Sequence, residues 1–150
     1  MRAIALLIIF ALSTGLLYSQ TDLTGFRGIE WGTPFEEISE KLTPSKNKTP
    51  GVKGYDMKDN DYNFEGVVAH TMTYGFKKDK FHGVNIGVYN KDLETVVASL
   101  TEKYGEPKVT KTPILDNYEW HLPSTSITLT YFMMTKSEEG VTIGFSKSRK

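Results

Sequence analysis

The chain has 150 residues, with 18 lysines and arginines against 18 aspartates and glutamates, three histidines and no cysteine. A formal net charge of zero supplies no basic field to attract nucleic acid or an anionic membrane surface. The missing cysteines exclude disulfides, thiolate metal sites, a cysteine nucleophile and the lipid-modified cysteine of a bacterial lipoprotein.

Met1-Arg2 opens an apolar run from Ala3 to Leu12 that softens at Ser13, Thr14 and Gly15 and closes at Leu16-Leu17-Tyr18-Ser19. One positive charge, a short apolar core and a small residue predict a secretory signal peptide over residues 1–19, cleaved after Ser19. An uncleaved anchor is the alternative, but a span needs about 20 apolar residues and this run is interrupted sooner. Cleavage predicts a single exported domain, residues 20–150, periplasmic or secreted, with no membrane span and room for one hydrophobic core.

Leu23, Phe26, Ile29 and Trp31, separated by glycines, read as a short lead-in strand. Thr33-Pro34-Phe35-Glu36 then predicts a helix start, with Thr33 as cap, Pro34 in the first position and Glu36 completing a capping box. Phe35, Ile38 and Leu42 share one helical face, and the helix must end before Pro44. Residues 43–54 carry breakers and no periodicity, predicting a loop, and a weak strand follows at Tyr62 to Phe64.

From Val67 the period changes to two. Val68, His70, Met72, Tyr74 and Phe76 alternate with Ala69, Thr71, Thr73 and Gly75, and the chain returns through His82, Val84, Ile86 and Val88. This predicts a hairpin. A two-residue turn at Lys78-Asp79 would put the large side chains of the two strands on opposite faces, so an odd loop is predicted.

Asn90 or Asp92 caps a second helix with the stripe Leu93, Val96, Val97 and Leu100, stopped by Gly105 and Pro107. A loop through Thr112-Pro113, a short strand from Tyr118 to His121 and a last hairpin complete the chain. Ile127, Leu129, Tyr131 and Met133 alternate outbound, and Val141, Ile143 and Phe145 alternate on the return past a turn at residues 136–139.

The return strands echo each other. Gly83-Val84-Asn85-Ile86-Gly87-Val88 and Gly140-Val141-Thr142-Ile143-Gly144-Phe145 share G-V-x-I-G at a spacing of about 57 residues. Near that offset Phe35 to Thr43 matches Leu93 to Thr101, Tyr62-Asn63-Phe64 matches Tyr118-Glu119-Trp120, and Thr71 to Tyr74 matches Thr128 to Tyr131. The fold class these patterns predict is α+β. Two tandem α-β-β-β units, about residues 33–89 and 90–146, would form one antiparallel sheet of about six strands with two helices packed on one face.

Over Thr33 to Phe145, in element order, repeat length and export, the chain resembles the tandem helix-plus-sheet fold shared by the β-lactamase inhibitory protein and the outer-membrane assembly lipoproteins of the SmpA/OmlA type. It lacks the inhibitor's disulfide cysteines and the assembly protein's lipidated cysteine. The resemblance therefore implies a fold and transfers no functional residue.

Candidate chemistry is sparse. His70 and His82 fall on the apolar side of the first hairpin, while His121 lies in another strand; partly buried structural histidines fit this better than a metal pair. Asp59 to Glu65 places oxygens like a calcium loop, but Phe64 stands where that loop needs glycine and His70 where it needs the bidentate acid. No nucleophile elbow, zinc-protease, phosphate-loop or dinucleotide motif occurs, so no cofactor and no metal are predicted. The sheet face away from the core carries small and hydroxyl residues, with Tyr89, Phe132 and Met134 standing above it. Together with Asn85, Thr73 and Thr130 these are the candidate binding residues, because aromatic and methionine side chains act as interface anchors. The reading is a non-catalytic exported module binding an envelope or secreted protein. A small-molecule or lipid carrier is the alternative, and an enzyme comes third.

Overall fold

The computed structural model describes residues 22–47, 49–133 and 137–148. The expected signal peptide and cleavage point, and Met134, lie outside the described residues. Eight strands form one antiparallel sheet: β1 (Leu42–Pro44), β2 (Lys53–Met57), β3 (Thr71–Lys77), β4 (Lys80–Val88), β5 (Lys108–Lys111), β6 (Leu115–His121), β7 (Thr125–Phe132) and β8 (Val141–Lys147). Their spatial order is β1-β2-β3-β4-β8-β7-β6-β5. Each half of the chain thus supplies four consecutive strands, and the halves meet where β4 pairs with β8. The sequence pattern shows five of these eight strands, β3, β4, β6, β7 and β8; the sixth strand it predicts, at Tyr62 to Phe64, lies outside this sheet.

That central ladder is set by the echoed strings. Val88 pairs with Val141, Ile86 with Ile143 and Val84 with Phe145. All six side chains are buried, with Ile86 and Ile143 fully so. Because side chains alternate along a strand, Gly83, Asn85, Gly87, Thr142, Gly144 and Ser146 point to the other face, hereafter the outward face. Helix α2 (Leu93–Tyr104) adds Val96, Leu100 and Tyr104 to the same buried cluster. Gly105 ends α2 with φ 84, its N–H bonding the Thr101 carbonyl at 2.8 Å. Trp120 crosses from β6 and donates its indole N–H to the Gly105 carbonyl at 2.8 Å.

Local expectations meet several corrections. Helix α1 is a single turn, Phe35–Ile38, continued by a tight turn at Ser39–Lys41, and Leu42 already begins β1. Pro44 is the reason, since the residue before a proline is pushed out of the helical region. The match of Leu42 with Leu100 therefore pairs a strand residue with a helix residue. No capping box forms: the Thr33 hydroxyl donates instead to the Glu30 carbonyl at 2.9 Å. Asp92 occupies the N-cap position of α2, as one of the two predicted candidates, but makes no side-chain capping bond, and a short turn at Asn90–Asp92 leads into the helix. The Asn90 side chain accepts from the Gly140 N–H at 2.7 Å and donates to the Ser137 carbonyl at 3.1 Å, fastening the turn before β8 to the start of α2.

Residues 43–54, read as loop, contain β1 and the start of β2, and β5 was likewise hidden beside Thr112-Pro113. These are the sheet edges. Short strands bearing Pro44 on one side and Lys108 and Lys111 on the other lack an apolar alternation and resist edge-to-edge pairing. Asn63–Phe64 pairs only with Val67–Val68 in a small separate ladder. By contrast Tyr118 to Trp120 lie in the main sheet beside β7, so these two strings do not occupy matching places.

The first hairpin reaches the predicted side-chain arrangement by another route. The turn has two residues, Lys78 and Asp79, both with positive φ (52 and 56), and joins Lys77 to Lys80. The extra residue sits in the strand: Phe76 pairs with Phe81 but Gly75 with Gly83, leaving His82 as a bulge. Past it Tyr74 pairs with Val84 and Met72 with Ile86, on one buried face.

Truncating the central ladder tests its weight: Ile143→Ala is predicted to lower unfolding stability by about 2–5 kcal/mol, read from the urea midpoint. Burial holds the Tyr74 hydroxyl above the usual tyrosine range, and burial first, then the Glu65 charge, does the same for Tyr104. Their stabilising contribution is complete below the unfolded tyrosine value and is lost as pH rises through the raised folded values. Stability curves should therefore fall above about pH 10, and Tyr104→Phe should flatten that alkaline limb; an unchanged limb refutes the assignment.

Candidate functional site

The outward face is built in cross-strand rows. One row runs Thr73, Asn85, Gly144, Thr128, Glu119 and Lys108 across β3, β4, β8, β7, β6 and β5. The next runs Thr71, Gly87, Thr142, Thr130, Asn117 and Thr110, and a third Gly75, Gly83, Ser146, Ser126 and His121. Hydroxyls, amides and glycines dominate, so the surface is low and polar.

The sequence-selected residues divide. Asn85 is exposed in mid-sheet and Thr130 half-buried, its hydroxyl donating to the Asn117 side-chain oxygen at 2.9 Å. Thr73 is buried: its hydroxyl donates to Asp56 at 3.3 Å, receives the Asn47 amide at 3.3 Å and meets the Ser45 hydroxyl at 3.3 Å. It therefore anchors Ser45 and Asn47, and what remains of its surface lines a groove beside them rather than the open face. Tyr89 lies at the end of β4, its ring 5.2 Å from the His70 ring, with the Lys91 ammonium 5.7 Å from its centroid. His70 covers Gly87 on the outward face, away from the apolar side the alternation assigned it, and its Nε2 is buried without a hydrogen-bond partner among the described residues.

Phe132 stands 43% exposed at the far end of β7. It has company the sequence did not reveal. Phe132 is paired with Leu115, Met133 donates its N–H to the Ile114 carbonyl at 3.0 Å, and Ile114 and Met133 are 54% and 40% exposed. An apolar corner thus forms where the turn after β5 meets the end of β7. Met133 was assigned to the core by alternation, but β7 ends at Phe132.

The segment 45–52 also departs from expectation. Its Asn47, Thr49 and Val52 line, together with Gly54, Gly75, Gly83 and Gly144, a groove of about 190 Å³. Its turn was legible: Thr49-Pro50-Gly51-Val52 has Pro second and Gly third, Gly51 takes φ 73, and the Val52 N–H bonds the Thr49 carbonyl at 3.1 Å.

His70 and His82 are partly buried, as the sequence pattern favours, and they do not pair. His70 and His82 sit toward opposite ends of β4, and His82 instead shares a cavity with His121. The Asp59–Glu65 segment is organised by an Asx turn. Asp61 accepts from the Asn63 backbone N–H at 2.9 Å and from its side-chain amide at 2.8 Å, which hold the Asp61 carboxyl below its usual range. The Arg27 guanidinium donates to the Asp61 and Asn63 carbonyls. Among the described residues no group of three or more His, Asp or Glu could hold a metal ion, and no helix is long and apolar enough to cross a membrane.

Compared with protein-family models, curated proteins and solved structures, the chain finds no match.

The glycines under the groove are not equivalent. A Cβ on Gly83 would lie 2.5 Å from the Phe145 carbonyl oxygen, whereas one on Gly144 meets only the Thr128 carbonyl at 4.0 Å. Gly83→Ala is predicted to destabilise by more than about 1 kcal/mol, and Gly144→Ala to be neutral or to stabilise by about 0.4–1 kcal/mol through the unfolded chain. Paired urea titrations distinguish them.

Proposed function

We propose that the chain is an exported, non-catalytic binding module whose outward sheet face docks a protein partner of the envelope or extracellular space. The observation that carries this reading is the apolar corner of Ile114, Phe132 and Met133 beside an otherwise low, hydroxyl-rich surface. Exposed large apolar side chains that cluster, rather than scatter, mark interaction sites, and an aromatic at the rim of a flat polar field supplies an anchor with little competing bulk. Tyr89, at the same end of the strands as Phe132, extends that field along the end of β4. A lipid carrier is less well supported, because the buried side of the sheet is occupied by Trp120, Tyr74, Phe76, Phe81 and their neighbours.

The reading includes the architecture. Two tandem units, each a helix followed by four strands, are joined by their last strands, with the helices on the core side. The sheet order and the echoed strings favour it: Ile86 and Ile143, equivalent in the two G-V-x-I-G strings, are also partners across β4 and β8. A local two-fold relation between copies would place equivalent residues opposite each other in this way. The likeness to the β-lactamase inhibitory protein and SmpA/OmlA type is proposed on the same grounds.

A photo-crosslinking residue placed at Phe132 should yield one discrete protein adduct in envelope extracts, while the same residue at the exposed Glu94 of α2 should not. Equal adducts from both positions would sink the docking face. The double variant Phe132→Ser, Met133→Ser should keep its unfolding midpoint within about 0.5 kcal/mol; loss of folding would instead make these residues core.

A further inference from the structure

At the opposite ends of the same strands, away from the Phe132 corner, a second cavity opens on the outward face. His82 of the β4 bulge, His121 of β6, Ser126, Ser146, Ser148 and Lys147 line it. The register explains the convergence: Gly83, Ser146, Ser126 and His121 are successive partners across β4, β8, β7 and β6, and the bulge places His82 beside Gly83. Leu122 and Pro123 complete the lining, and among the described residues no carboxylate lines the cavity. The hydroxyls, imidazoles and ammonium of such a lining offer hydrogen-bond donors to an anion.

This cavity shares His82 and Ser146 with the glycine-floored groove under segment 45–52. The groove is apolar, walled by Val52 and floored by Gly75 and Gly144. Its 190 Å³ is below the roughly 300–1,000 Å³ of sites for drug-sized ligands but ample for one aromatic ring, since a cavity of about 150 Å³ holds benzene. An anion site and a ring-sized apolar slot therefore meet at His82 and Ser146.

We propose that the two together bind an aryl-bearing carboxylate, the carboxylate between His82 and His121 and the ring over Gly144. The site stands independently of docking at the Phe132 corner. Among the described residues the charged groups around it are Lys147, which lines both this cavity and the neighbouring cleft that holds Glu30, and Glu119, which is two residues from His121 and paired in register with Lys108. A free aromatic acid and the carboxyl terminus of a peptide ending in phenylalanine share this chemistry.

Titration of the full chain with N-acetylphenylalanine, followed by backbone amide NMR, should shift the His82, His121 and Gly144 signals saturably. N-acetylphenylalaninamide and acetate should each bind at least tenfold more weakly, because one lacks the charge and the other the ring. His121→Ala, on an exposed position, and Gly144→Leu, which fills the groove from a site with an unobstructed Cβ, should each weaken binding about tenfold with unfolding midpoints retained. Tighter binding of a hexapeptide ending in phenylalanine would assign the carboxylate to a protein terminus, and tighter binding of the free acid to a small molecule; both support the site. Amide binding equal to the acid, no saturable shift at millimolar acid, or unchanged affinity in His121→Ala would overturn it.

Discussion

The ladder between β4 and β8 is the constraint on which the molecule depends. Without it the chain would hold two four-stranded sheets, each with a long inner strand exposing unpaired backbone and a row of valine, isoleucine and phenylalanine. With it, the inner strands satisfy each other's hydrogen bonds and their apolar rows become the centre of one core. Its register is strongly specified, because a slip of one residue would turn Ile86 and Ile143 to water and bring asparagine, threonine and glycine into the core. Ile86, Val88, Val141 and Ile143 of this ladder are fully buried, and the edge strands β1 and β5 are short.

Other ties hold the ends of the chain to this centre. The Trp31 indole donates to the Thr125 hydroxyl at 2.7 Å, Thr125 in turn donates to the Leu23 carbonyl, and Asp22 accepts from the Ser124 N–H at 2.9 Å. The lead-in from the first half is thereby fastened to the start of β7 in the second. Glu65, between the Lys103 ammonium at 2.7 Å and the Ser99 hydroxyl, fixes the small 63–68 hairpin on α2. These contacts join distant parts of the sequence to the central sheet.

The surface inherits its character from the same ladder. Each residue sent inward obliges its neighbour to face outward, so the G-V-x-I-G strings that make the core also leave glycine and small polar residues outside. A low surface results, with bulk confined to its ends: Tyr89 and the Phe132 corner at one, His82 and His121 at the other. The bulge at His82 belongs to both stories. It restores Tyr74 and Met72 to the core side and sets an imidazole beside Gly83, at the junction of the apolar groove and the donor-lined cavity.

Period-two alternation is a local property of the chain. The sequence therefore determined β3, β4, β7 and β8, their buried faces, the stripe of α2 and the absence of cysteine chemistry. The edge strands β1, β2 and β5 were not legible, because they are short, flanked by prolines and lysines, and acquire strand geometry from the neighbour they pair with rather than from their own pattern. The same limit applied to the site. Asn85 and Phe132 could be placed outward by alternation, but the burial of Thr73 under segment 45–52, the meeting of Ile114 with Met133, and the convergence of His82 with His121 across intervening strands depend on register. Only the tertiary structure decided these, since side chains from strands distant in sequence become neighbours only once the order β4-β8-β7-β6 is set.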